Sequence, residues 1–155
     1  QKWALATDGW RLKGSDKTYN LNEIDPDDKS ELDKVYYKSR WINENGLEQQ
    51  LIVTFALRYK LYQQSIRDGQ IERARRKLAQ PSSLNRKGAQ DPSRFVKRLT
   101  VTTDGELAEQ DHYYLDDAVI DHEAKYDGFY GVCTTLDDNP LDIIAVNKGR
   151  WEIEA

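Results

Sequence analysis

Apolar and polar positions change rhythm several times along the chain, and each change marks an element. Gln1 to Leu5 has a short helical pattern, closed by the turn pair Asp8-Gly9. Residues 10–33 are polar and rich in Asp, and Asp25-Pro26-Asp27-Asp28 reads as a loop. Lys34 to Ile42 is rich in Val, Tyr and Trp, and Gln50 to Leu57 (QLIVTFAL) reads as a returning strand. Between them, Asn43-Glu44-Asn45-Gly46 suits a hairpin connection, because Asn-Gly tolerates positive φ. A β-hairpin is therefore predicted over 34–57.

From Arg58 to Gln80 the period becomes helical. Leu61, Ile66, Ile71, Ala74 and Leu78 recur near one face, and Arg and Lys fill the other positions. Gly69 weakens the middle of this helix by roughly 1 kcal/mol relative to Ala, and Pro81-Ser82-Ser83 ends it. After a polar loop over 81–92, Arg94 to Thr103 leads into a strand that turns at Asp104-Gly105 and can pair with Tyr113-Tyr114-Leu115. Asp116 is placed to cap a short helix through Lys125, with Val119 and Ile120 inward. Phe129 to Thr134 is a compact apolar run of the kind found in buried strands. Asp137-Asp138-Asn139-Pro140 opens a last helix, with Pro near its first turn and a break expected at Gly149. Strand pair, long helix, strand pair, helix, strand, helix: this order implies a mixed α/β (α+β) arrangement without internal repeats.

Composition narrows the classes. With 38% apolar and 32% charged residues the hydrophobic surplus is small, but 10% aromatic residues favour folding over disorder. No stretch approaches the length of a membrane-spanning helix, and no secretory apolar segment opens the sequence. The lone Cys133 excludes an internal disulfide framework and fits a reducing cytoplasm; its apolar surroundings predict a buried thiol. His112 and His122 have no Cys pair to complete a zinc site, and no glycine-rich phosphate loop is present. The chain opens on Gln1 and stops at Ala155 inside an amphipathic run, and it reads as a fragment.

Charge is distributed unevenly. Residues 58–98 hold twelve basic and three acidic residues, whereas 99–155 hold three basic and fourteen acidic ones. A basic block between acidic flanks is either a solvated helix face or a surface that contacts phosphates. On the second reading Arg73, Arg75, Arg76 and Lys77, with Arg86, Lys87, Arg94, Lys97 and Arg98, grip a DNA backbone without reading bases.

The segment Lys125-Tyr126-Asp127-Gly128-Phe129-Tyr130-Gly131-Val132-Cys133-Thr134-Thr135 is followed by Ile143-Ile144 and then Arg150-Trp151-Glu152-Ile153-Glu154. Together these resemble the end of bacterial insertion-sequence DDE transposases, in the branch with the signature Tyr-x2-Arg-x3-Glu-x6-Lys. Arg150 and Glu154 stand at the x3 spacing; Asn147 occupies the signature Tyr position, and the signature Lys falls beyond Ala155. Residues 36–57, the helix after them, Asn85 to Phe95 and the Asp104-Gly105 turn resemble that family's insertion region, so the likeness covers essentially the whole chain.

The resemblance implies a partial ribonuclease H-like core. Residues 1–127 would be the insertion between the second Asp and the final Glu, and 128–155 the final strand and the start of the catalytic helix. It also implies Glu154 as a catalytic carboxylate and ligand of Mg2+ (or Mn2+), Arg150 as a DNA contact or support, and double-stranded DNA as partner. A homodimer in the intact enzyme and a place in the cytoplasm beside the bacterial nucleoid follow from the same likeness. The other two carboxylates would lie outside this chain, which alone is expected to be inactive. Two further readings stay open: a stand-alone DNA-binding module built on 58–98, and a protein-interaction domain with a two-faced charged surface.

Overall fold

The computed structural model describes residues 2–85, 87–102 and 109–153, by their backbone alone at 101, 102, 109, 110 and 150–153. The chain divides into two compact units, one formed by Gln1–Leu61 with Gly128–Ala155, the other by Tyr62–Asp127. The secondary structure is mixed α/β, with both strand pairs antiparallel.

In the first unit a helical turn, α1 (Lys2–Leu5), precedes a short strand, β1 (Arg11–Leu12). Then comes the hairpin of β2 (Tyr36–Glu44) and β3 (Leu47–Phe55), in register from Tyr36 opposite Phe55 to Glu44 opposite Leu47. Asn45 and Gly46 take φ of 54° and 81°, and this pair of positive values matches the right-handed twist of the flanking strands. With β6 (Phe129–Thr134) these strands form one antiparallel sheet in the order β1-β2-β3-β6.

The core of this unit is aromatic. Trp10 has no exposed surface and lies 6.3 Å from Phe55 and 5.8 Å from Phe129, ring centre to ring centre. Tyr36, Val53 and Phe55 close around it. Trp10 pairs its backbone with Tyr19, and its indole N–H donates to the Ala6 carbonyl at 2.8 Å. The polar stretch 10–33 supplies a buried Trp and two short 3-10 turns, Leu21–Glu23 and Lys29–Asp33, and Asp25-Pro26-Asp27-Asp28 between them is a turn, as its residues suggest.

The long helix α2 (Leu57–Leu78) begins in the first unit and runs through the second. There it is followed by 3-10 turns at Pro81–Ser83 and Pro92–Phe95, the hairpin of β4 (Val96–Thr102) and β5 (Glu109–Leu115), and α3 (Asp117–Ala124). Phe95 is fully buried. Asp116 caps α3 as its position suggests, its side chain accepting from the Val119 N–H. The Asp104-Gly105 turn lies outside the described residues.

Four local expectations are corrected. β6 is not a buried strand: it sits at the sheet's edge, Tyr130, Gly131 and Cys133 are exposed, and Phe129 is the residue that joins the aromatic core. The Cys133 thiol is accordingly exposed. The last helix, α4 (Pro140–Ile153), continues through Gly149 without a break. Its cap is Asn139, whose side chain accepts from the Leu141 N–H at 3.0 Å. On α2, Leu61 and Ile66 face solvent while Arg67 and Ala74 are buried, so the inward line is rotated from the one drawn through the apolar residues. Among the described residues no helix is long and apolar enough to cross a membrane.

Candidate nucleic-acid interface and a cationic cleft

The basic residues of 58–98 separate into two groups. On α2, residues spaced three and four apart share a face, and the inward face holds Arg67, Ala74 and the partly buried Lys77. Arg67 meets Asp127 through two hydrogen bonds, Nη1 to Oδ1 at 2.6 Å and Nη2 to Oδ2 at 2.5 Å. Lys77 donates to Asp91 at 2.9 Å and to the Ser93 hydroxyl at 3.0 Å. Arg94 is packed over the Phe95 ring and forks onto Glu123 at 2.8 and 3.0 Å, with Gln70 accepting a further bond at 2.5 Å.

These cations are therefore neutralised within their own unit. Asp91 shows the effect from the other side. The Ser93 backbone N–H, the Lys77 ammonium and the Ser93 hydroxyl hold its carboxyl well below the usual carboxylate range.

The outward group is smaller. Arg73 and Arg76 are exposed and three residues apart; each Nε donates to the carbonyl four residues back, Gly69 and Glu72. Arg75 is exposed and paired with Glu72 one turn earlier, a surface pair of little energetic weight. Lys87 and Lys97 are exposed. Arg98 projects from β4 and pairs with Asp111 at 2.7 Å while more than half exposed. Arg86 lies outside the described residues, as does Glu154. Arg150 is on α4, with its side chain outside the described set.

A second cationic feature, absent from the sequence reading, lies in the first unit. A cleft of about 450 Å³ is lined by Trp3, Asp8, Arg11, Lys38, Ser39 and Asn139, among others. Lys38 is only 5% exposed. Its ammonium donates to the Ala6 carbonyl at 2.8 Å and sits 5.0 Å from the centre of the Trp3 ring and 4.4 Å from that of Trp10. Arg40 stacks on Trp3 at 4.5 Å. Burial pushes the Lys38 amine below the ordinary lysine range, with Arg40 adding to the shift and Asp8 opposing it. A Lys in an aromatic strand gives no sequence signal of burial, because its partners, the Ala6 carbonyl and two indoles, come from the first ten residues.

Among the described residues no group of three or more His, Cys, Asp or Glu side chains is placed to hold a metal ion. His122 packs against Tyr126 at 5.5 Å between ring centres. No family model, curated protein or solved structure matches the chain.

Proposed function

We propose that this chain is part of an insertion-sequence DDE transposase, comprising the insertion region and the final strand and helix of a ribonuclease H-like core. One observation carries the reading. The Phe129–Thr134 stretch is a strand, and after the Asn139 cap the chain enters a helix on which Arg150-Trp151-Glu152-Ile153 lie. That is the order in which the signature demands its last strand and its carboxylate-bearing helix.

Glu154 is then one oxygen ligand of a centre completed by two aspartates from elsewhere in the intact enzyme. Mg2+ or Mn2+ bound there would activate water or a 3′-hydroxyl and stabilise the leaving oxygen of a phosphodiester. The intact enzyme acts on double-stranded DNA as a homodimer beside the nucleoid. Arg73, Arg75, Arg76, Lys87 and Lys97, with Arg86, Arg98 and Arg150, contribute backbone contacts.

The test joins the chain to the reading frame upstream of Gln1 and assays strand cleavage at transposon ends in Mg2+. Cleavage should vanish in Glu154→Gln while DNA binding persists. Cleavage that survives the substitution, or an upstream frame without strand-borne aspartates, would sink the reading.

A second reading, a stand-alone DNA-binding module, draws on the outward pair Arg73 and Arg76. Affinity for arbitrary duplex should fall with salt, and the slope of log K on log salt should shrink by about 0.9 for each phosphate contact removed. Replacing Arg73, Arg75 and Arg76 together by Ala should flatten it. Failure to bind duplex at low salt rules this reading out, and recovery of a protein partner instead would favour an interaction domain.

A further inference from the structure

We infer that the cleft bounded by the Ala6–Arg11 segment, β2 and the start of α4 is a binding site for a phosphate group. Lys38 would supply the buried positive charge and Arg11 the one at the rim. The inference is independent of Glu154 and of any metal centre.

It starts from an imbalance. Taking an ammonium out of water is costly unless an opposite charge or several acceptors replace the lost hydration. The molecule observes this rule elsewhere: Arg67 has Asp127, Lys77 has Asp91 and Arg94 has Glu123, each with a carboxylate oxygen within 3 Å. Lys38 is more buried than Lys77, yet no carboxylate among the described residues lies within ion-pair distance of it. An ammonium has three donors. One reaches the Ala6 carbonyl, which also accepts from the Trp10 indole. Two indole faces attract the charge but accept no strong hydrogen bond. The remaining donor capacity adjoins the cleft that Lys38 lines.

The cleft's composition selects the ligand class. Its lining carries two cations, Lys38 and Arg11, against one carboxylate, Asp8. Ser39 and Asn139 line it too, and Asn139 opens a 14-residue helix whose amide dipoles favour negative charge at that end. A polar, net-positive wall suits a ligand with several acceptor oxygens and more than one negative charge. A phosphate group has both, and the volume leaves room for the ester attached to it. It could arrive as a phosphodiester of DNA or as a free phosphate compound.

The test is a titration of the 155-residue chain with inorganic phosphate at constant ionic strength, reading the amide resonances of Gly9 and Ser39. Saturable shifts are expected at both, weakened about tenfold or more in Arg11→Ala and lost in Lys38→Met. They should be unchanged in Arg73→Ala. A short DNA duplex is then added. Displacement of phosphate from Gly9 and Ser39 identifies the ligand as a nucleic-acid backbone; binding that leaves those signals alone identifies a free phosphate compound. Absence of phosphate-dependent shifts at Gly9 and Ser39, or shifts that persist unaltered in Arg11→Ala, overturns the proposal. Arg11 is exposed and outside the aromatic core, so that variant tests the site without disturbing the contacts of Lys38 with the two indoles.

Discussion

Arg67 and Asp127 are sixty residues apart in sequence and meet fork to fork, through parallel hydrogen bonds of 2.6 and 2.5 Å in a buried setting. Such a pair contributes little net stability over an apolar replacement, but removing one member strands the other charge. Asp127→Ala should therefore cost about 3–5 kcal/mol, whereas Arg67→Met combined with Asp127→Leu should be near neutral or stabilising. Denaturant unfolding of the single and double variants decides this. Equal losses in both would mean that packing, not stranded charge, dominates.

Gly128 follows directly and is constrained for a different reason. Its φ is +84°, and a Cβ built on it would lie 2.7 Å from the Phe55 ring and 2.9 Å from the Lys60 Cβ. Left-handed backbone costs a residue with a side chain about 1–2 kcal/mol, and forced overpacking adds about 1–3 kcal/mol. Gly128→Ala should lower the unfolding midpoint accordingly. Gly131→Ala, within β6 three residues further on and with open space around it, should cost much less. A thermal melt comparing the two checks the contrast.

Within the Tyr126-Asp127-Gly128-Phe129-Tyr130 run, then, Asp127, Gly128 and Phe129 each have a structural duty. This shows what sequence could and could not convey. Turn chemistry at Asn45-Gly46, the cap at Asp116 and the Pro140 start were legible because their causes are local. The inward side of α2 was not: Arg67 and Lys77 look like solvent-facing charges until Asp127 and Asp91, remote in sequence, are brought beside them. Trp10 was hidden by its polar neighbours, and Cys133 by an apolar run that proves to be an edge strand. In the candidate site, the outward Arg73 and Arg76 could be picked out as basic, but their separation from Lys77 and Arg94 depends on tertiary partners. Lys38 went unseen because burial by two indoles leaves no trace in spacing.

Asp91 makes acid sensitivity testable. Its carboxyl is held below the usual range in the folded chain, first by the Ser93 backbone N–H and then by Lys77. A carboxyl lowered on folding adds stability in full above its unfolded value, about 3.9, and loses it as pH falls through the folded value. Asp91→Asn should therefore lower stability at pH 6 and flatten the decline below about pH 4. Unfolding curves at pH 6, 4 and 3 measure it, and a variant with the wild-type acid slope would contradict the assignment.

Lys38 produces the opposite arrangement at the alkaline end. Its amine is lowered on folding, chiefly by burial, so the unfolded chain holds the proton more tightly. Stability should rise with pH between the lowered value and the ordinary lysine value of about 10.4. Lys38→Met should abolish that rise and, by removing a buried charge without a carboxylate partner, increase stability at pH 7. Unfolding measurements from pH 7 up to the ordinary lysine value, with Lys38→Met as the reference that shares every other titrating group, test this. A destabilised Lys38→Met would mean that the Ala6 bond and the indole contacts outweigh desolvation.

The closeness of Lys38 to two indoles has a practical corollary. An excited indole is more polar than its ground state, so its emission colour depends on nearby charge. The ammonium lies 4.4 Å from the Trp10 ring centre and 5.0 Å from that of Trp3. Intrinsic fluorescence therefore gives the chain an unlabelled optical gauge of whatever neutralises that amine, readable in a cuvette before any site-directed variant is made.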